Sequence, residues 1–200
     1  MNAVLISIQP KWCELIASGK KTVEVRKTKP KIETPFKVYI YCTYGEGLIE
    51  ANDEFLPNHL IEQKVSKNKT WGNCCNGKVI GEFVCDKIFT IQYSCGSYRC
   101  DGLTMIENDR VAAASQLSLY DMRNYLLCNG GYAWHISDLV IYDKPKELSE
   151  FNYPPYCDCD IECRRCKYGF VVNTILGDEF DCDRSVKRPP QSWCYVEEYK

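Results

Sequence analysis

The sequence predicts an α+β chain that is mainly β: a small mixed β-barrel flanked by short helices, with a cysteine-rich extension at its C-terminal end. Short runs rich in β-branched and aromatic residues recur over about 140 residues, and few helical stretches between them reach crossover length. Beyond Pro145 and the Pro154-Pro155 pair the composition changes, and six of the 14 cysteines fall in the last 50 residues. A chain of 200 residues that is 45% hydrophobic and 26% charged can bury a core. Disordered, collagen-like and membrane classes are set aside on that composition.

At the N-terminus Val4, Ile6 and Ile8 alternate with Leu5, Ser7 and Gln9, the period of a strand, and Pro10 ends it. Proline suits the first turn of a helix; Trp12, Leu15 and Ile16 then share a helical stripe until Ser18-Gly19 stops it. Thr22 to Arg26 reads as a strand with Val23 and Val25 on one side and Thr22, Glu24 and Arg26 on a polar, outward one. Phe36 to Thr43 reads as another strand. Residues 44–77 are a polar excursion with glycines at both ends. Strand character returns over Gly77 to Thr90, helical spacing over Ser118 to Leu127, and strand again over Tyr132 to Tyr142.

Net charge is −2, which predicts neither a general nucleic-acid binder nor an acidic tail. The charge is uneven, however: between Lys11 and Lys37 eight bases face three acids. A local positive patch on a mildly acidic body can attract an anionic ligand, although a solvated face is the plainer use of it. The apolar run Val4 to Ile8 is far below the roughly 20 residues of a membrane span, and no cleavage site follows it. No membrane partner is expected. Without a secretion signal the thiols are expected in a reducing cytoplasm, as metal ligands or core residues rather than disulfides.

Chemistry concentrates in Gly19-Lys20-Lys21-Thr22-Val23-Glu24-Val25-Arg26. A glycine stops the helix, a lysine follows, and Glu24 and Arg26, two apart on a strand, lie about 7 Å from each other on one side, able to orient a planar polar ligand. A lysine there can pair with the carboxylate, bind phosphate or, if desolvated, act as a base. Gly19, Lys21, Glu24 and Arg26 reproduce the G-x-K-x-x-E-x-R signature of ASCH domains, and the order of elements over roughly residues 2–148 resembles that PUA-like family. The run Arg188-Pro-Pro-Gln-Ser-Trp-Cys-Tyr-Val-Glu197 resembles the ending of bacterial and phage members. The resemblance implies residues 1–148 as a barrel domain with an insertion over about 44–77, and a cleft into which the signature side chains point. Residues 149–200 are expected to be a cysteine-rich tail that returns to the barrel and offers thiolates to a zinc ion.

By resemblance the expected partner is RNA or a modified nucleotide, held by Gly19, Lys21, Glu24, Arg26 and Lys27, with Trp12, Tyr41 or Trp134 stacking on a base. Some small bacterial relatives are amidohydrolases acting on acetylated cytidine. They share the lysine, here Lys21, but carry threonine where this chain has Glu24. A hydrolase of that kind is the second expectation, with Lys21 as base and Glu24 relaying the proton. A protein-interaction module, with a protein partner on the 44–77 excursion and the tail, is the third.

Cys157-x-Cys159-x3-Cys163-x2-Cys166, followed by Cys182 and Cys194, offers more thiolates than a structural zinc ion needs. Cys163 and Cys166 have the spacing that lets two sulfurs reach one ion, Cys157 and Cys182 are the expected partners, and Cys159 can replace Cys157. An iron–sulfur cluster or free thiols are the other uses of such a set. Cys13, Cys42, Cys85 and Cys128 sit in apolar segments as core residues. With only His59 and His135 in the chain, a Cys–His hydrolase is not expected.

Overall fold

The computed structural model describes residues 2–44, 75–94, 97–102, 105–127, 129–154, 169–174 and 177–199. Eleven strands are described: β1 (Asn2–Ile8), β2 (Val23–Arg26), β3 (Phe36–Cys42), β4 (Val79–Cys85), β5 (Ile88–Ser94), β6 (Ser97–Cys100), β7 (Gly131–His135), β8 (Ser137–Lys146), β9 (Gly169–Thr174), β10 (Gly177–Cys182) and β11 (Trp193–Glu197). Three α-helices accompany them: α1 (Pro10–Ala17), α2 (Met105–Ser115) and α3 (Leu119–Leu126). The expected class, mainly β with a few short helices, is what the chain adopts. None of the described helices is long and apolar enough to cross a membrane.

The closed barrel is not. Among the described residues the strands form a five-stranded sheet in the order β11-β1-β3-β4-β8, a four-stranded sheet in the order β2-β7-β5-β6, and a separate β9/β10 hairpin. Two corners carry the chain from one sheet to the other, and they explain the difference. Gly77 to Thr90 reads as one strand but breaks at Asp86-Lys87 into β4 of the first sheet and β5 of the second. Tyr132 to Tyr142 likewise breaks at Ile136 into β7 and β8. The corners are stapled together: the His135 backbone N–H donates to Lys87 O at 2.9 Å, His135 Nδ1 lies 2.7 Å from Asp86 Oδ1, and Ser137 Oγ donates to Val84 O at 2.9 Å. Turning twice in this way stacks one sheet on the other and, among the described residues, leaves both with open edges.

Alternation along each strand decides what fills the layers. Val4, Ile6 and Ile8 of β1 and Val38, Ile40 and Cys42 of β3 point into a core between the sheets, where they meet Phe36, Phe83 and Trp134. Ala3 and Leu5 with Tyr39 and Tyr41 point the other way, into a second core closed by Phe151 and Val186 from the C-terminal segment. β1 and β3, in the middle of the first sheet, are thus buried on both faces. A third core lies between the second sheet and the helices, built from Val23, Val25 and Ile91 with Met122 and Leu126 of α3. Apolar on both faces, β1 and β3 read as near-continuous hydrophobic runs, which suits their parallel pairing, Val4 opposite Val38 through Ile8 opposite Cys42. β11 completes the sheet antiparallel to β1, with Leu5 opposite Cys194.

Candidate functional site

The signature is positioned by a sharp exit from α1. Gly19 takes a positive φ of 71°, a conformation that costs a residue with a Cβ, and its N–H closes the helix on Ile16 O at 2.9 Å. The Lys21 N–H then donates to Leu15 O at 2.8 Å, and the Thr22 N–H to Ala114 O at 3.0 Å, which pins the start of β2 against the end of α2. β2 runs antiparallel to β7, with Glu24 opposite Trp134 and Arg26 opposite Tyr132.

Sequence reasoning places the polar side of this strand outward; the fold turns it inward. Val23 and Val25 already cover the helices, so Glu24 and Arg26 face the space between the sheets, where α1, β1 and the approach to β11 enclose them. Lys21, Glu24 and Arg26 are 2%, 6% and 7% exposed. They converge. Glu24 Oε2 lies 3.3 Å from Lys21 Nζ and Glu24 Oε1 lies 2.9 Å from an Arg26 terminal nitrogen, so one carboxylate serves two cations. Lys21 Nζ also donates to Ser115 O at 2.6 Å, at the C-terminal, partially negative end of α2. Arg26 donates to Ser7 O at 2.6 Å, and its other terminal nitrogen reaches Ser192 Oγ at 3.4 Å. Burial lowers the Lys21 pKa, and the Glu24 carboxylate offsets part of that effect.

Trp12 is half-buried, its ring 5.2 Å from Lys21 Nζ. Lys27 is exposed and lies over the ring of Tyr125 at 5.2 Å. Trp134 shares the inward face with Glu24, is fully buried, and packs edge-on against Phe36. Tyr41 is not brought to this site: it lies in the core on the opposite face of the first sheet. Of the proposed metal ligands, Cys157, Cys159, Cys163 and Cys166 lie outside the described residues, as do His59, Cys128 and most of the 44–77 excursion. Cys182 ends β10. Among the described residues no group of three or more His, Cys, Asp or Glu is arranged to hold a metal.

Sequence reasoning missed Ser7, Ser115 and Ser192, which act on the signature through backbone oxygens or a hydroxyl, and no sequence signal marks such contacts. It also missed Tyr125, whose hydroxyl faces the Arg26 guanidinium and the Lys27 backbone N–H. The spacing of α3 does place Tyr125 on a helix, but not against β2. The buried thiols are core groups: burial holds Cys13 well above the ordinary thiol value and pushes Cys85 up to about 12 and Cys100 and Cys194 up to about 11. His135 is paired with Asp86 at the exposed corner.

Fold and site together define a two-sheet α+β protein with a buried lysine–glutamate–arginine network at the junction of a helix and a strand. Residues 6–88, from within β1 to the first residue of β5 and including the whole signature, match the family model of the ASCH domain. Among curated proteins there is no significant match. Among solved structures, the crystal structure of ASCH from Zymomonas mobilis is similar over 98% of this chain and 88% of that one, with a TM-score of 0.52 and 17% identity. A serine-to-alanine variant of the Zymomonas mobilis protein is similar over 98% and 89%, with a TM-score of 0.53 and 17% identity. At that identity the likeness shows a shared fold.

Proposed function

We propose that the chain binds RNA or a modified nucleotide at the Lys21–Glu24–Arg26 network, as an ASCH protein of the bacterial and phage type working in a reducing cytoplasm. The observation that carries this reading is the sharing of Glu24 between two buried cations. Two positive groups against one negative leave an excess positive charge held in place by Ser7, Ser115 and Ser192, which favours an anionic ligand. Exposed Lys11, Lys27, Lys29 and Lys31 extend the same sign outward. Titration of a labelled single-stranded RNA by anisotropy tests it. Affinity should fall with salt by a log–log slope of about 0.7 for each phosphate contacted, and Lys27→Ala should lower that slope by roughly one contact. Lys21→Met, which removes the charge and keeps the bulk, should weaken binding by on the order of tenfold. An affinity indifferent to ionic strength would refute the reading.

One observation favours a hydrolase acting on a modified nucleoside: burial makes Lys21 easier to deprotonate, as a base requires. Neutral lysine is the active form, so deacetylation of acetylcytidine should rise with pH through a value below the ordinary lysine 10.5. Lys21→Arg should abolish it. Absence of turnover by the unaltered protein removes this version and leaves binding untouched.

We also propose a structural zinc ion on Cys163, Cys166, Cys182 and either Cys157 or Cys159. In support, the β9/β10 register sets Cys182 opposite Gly169, a residue three positions after Cys166 in the sequence. Metal analysis of the purified protein should find about one equivalent of zinc, lost in Cys163→Ser/Cys166→Ser. A metal-free protein purified without chelator would overturn it.

A further inference from the structure

The face of β2 that carries Val23 and Val25 is turned away from the signature side chains and packs, with the rest of the second sheet, against the helices. That packing leaves a gap. A cavity of about 30 Å³ lies between sheet and helices, walled by Val25 and Ile91 on one side and by Val111 and Met122 on the other. Three polar residues also border it: Tyr98 and Cys100 of β6 and Asn108 of α2. Tyr98 and Cys100 are two apart on a strand and so share the face turned to the helices, where the Tyr98 ring rests against Tyr93 at 4.9 Å. The Tyr98 hydroxyl oxygen is buried, and no group among the described residues hydrogen-bonds to it. A hydroxyl buried without any partner depresses the folding equilibrium by on the order of tenfold or more. Asn108 supplies an acceptor of the right kind nearby. Its side-chain oxygen takes the Cys100 backbone N–H, and a carbonyl oxygen can accept twice.

We propose that this cavity is an internal hydration site, in which one ordered water accepts the Tyr98 hydroxyl proton and donates to the Asn108 side-chain oxygen, joining β6 to α2. Size and lining both select water. An ordered water needs roughly 10–15 Å³ and two to four polar partners, and the cavity has the room, the two oxygens and, as a weak third donor, the Cys100 thiol. Cavities that stay dry are lined by apolar groups alone, and this one is not. The site is separate from the Lys21–Glu24–Arg26 network but lies behind it. α2 is the helix whose last carbonyls, those of Ala114 and Ser115, receive the Thr22 N–H and the Lys21 ammonium, so the water braces the element that positions the signature.

A high-resolution crystal structure of the full chain and urea unfolding of two variants test the site. The electron density should show one isolated peak within hydrogen-bond distance of both Tyr98 Oη and Asn108 Oδ1. Tyr98→Phe should lower the folding equilibrium constant by roughly five- to tenfold, because a hydrogen bond is lost. Removing an unpaired hydroxyl would instead leave the constant unchanged or raise it. Val111→Ile, which pushes one more carbon into the cavity, should lower the constant by evicting the water, and adding Tyr98→Phe to that variant should recover part of the loss. In a dry cavity the same isoleucine would be stabilising. The site is overturned if Tyr98→Phe is as stable as the unaltered protein or more so, if the density shows a side chain in the water's place, or if xenon under pressure enters the cavity of the unaltered protein. Should Tyr98→Phe fail to fold, the density and the xenon experiment on the unaltered chain decide.

Discussion

Replacing Glu24 by alanine is expected to destabilise the fold by about 3–5 kcal/mol, the cost of leaving buried charges without their partner. Lys21 and Arg26 would then face each other with backbone oxygens, Ser192 and the Tyr125 hydroxyl left to receive their protons. The loss should depend on pH in a defined direction. Without Glu24 the Lys21 pKa in the folded chain, already lowered by burial, falls further, while in the unfolded chain it stays ordinary. Between those two values the unfolded chain binds the extra proton, so stability rises with pH. Urea denaturation of Glu24→Ala should therefore show partial recovery as pH rises toward the ordinary lysine value of 10.5, with the unaltered protein changing less. A variant within about 1 kcal/mol of the unaltered protein at neutral pH would mean that water reaches the network freely.

Trp134→Ala is expected to cost about 3–5 kcal/mol as well, for a different reason. The indole fills the space between the sheets, fully buried, with Phe36 edge-on at 5.9 Å and Trp193 at 6.2 Å. Removing it opens a cavity lined from both layers, and the stacked sheets cannot collapse into it without breaking the corners at Asp86-Lys87 and Ile136. Its ring nitrogen finds no hydrogen-bond partner among the described residues. Trp134→Phe therefore gives up no bond and should cost under about 1.5 kcal/mol, near that of other volume-tolerant core exchanges. Equal losses for alanine and phenylalanine would show that an acceptor for the indole N–H matters more than the volume.

The sequence carries local periodicity well and long-range closure poorly, and particular elements show why. β1, α1, β2, β3 and α3 lie where alternation, Pro10, Gly19 and helical spacing place them. α2 carries no clear apolar stripe (Met-Ile-Glu-Asn-Asp-Arg-Val-Ala-Ala-Ala-Ser), so it is unreadable without its neighbours. The two corners escape because a strand that changes sheets keeps its β-rich composition, and only hydrogen-bond partners reveal the break. The signature residues are legible as chemistry. Their inward orientation is not, because it depends on Ser7, Ser115 and Ser192, which lie 19, 94 and 166 positions from the side chains they hold. Tyr41 shows the same limit: an aromatic in a strand has two faces to choose from, and here the choice is the far one.

Arg26 is clasped between Ser7 on the first strand and Ser192 just ahead of β11. During translation its guanidinium emerges long before Ser192 does, and until then it must stay hydrated. The nascent chain consequently cannot mature this centre before Ser192 has been made; β11 has to be inserted beside β1 before the arginine is locked in place. The buried network should thus come together abruptly, once β11 has paired with β1, rather than growing with chain length.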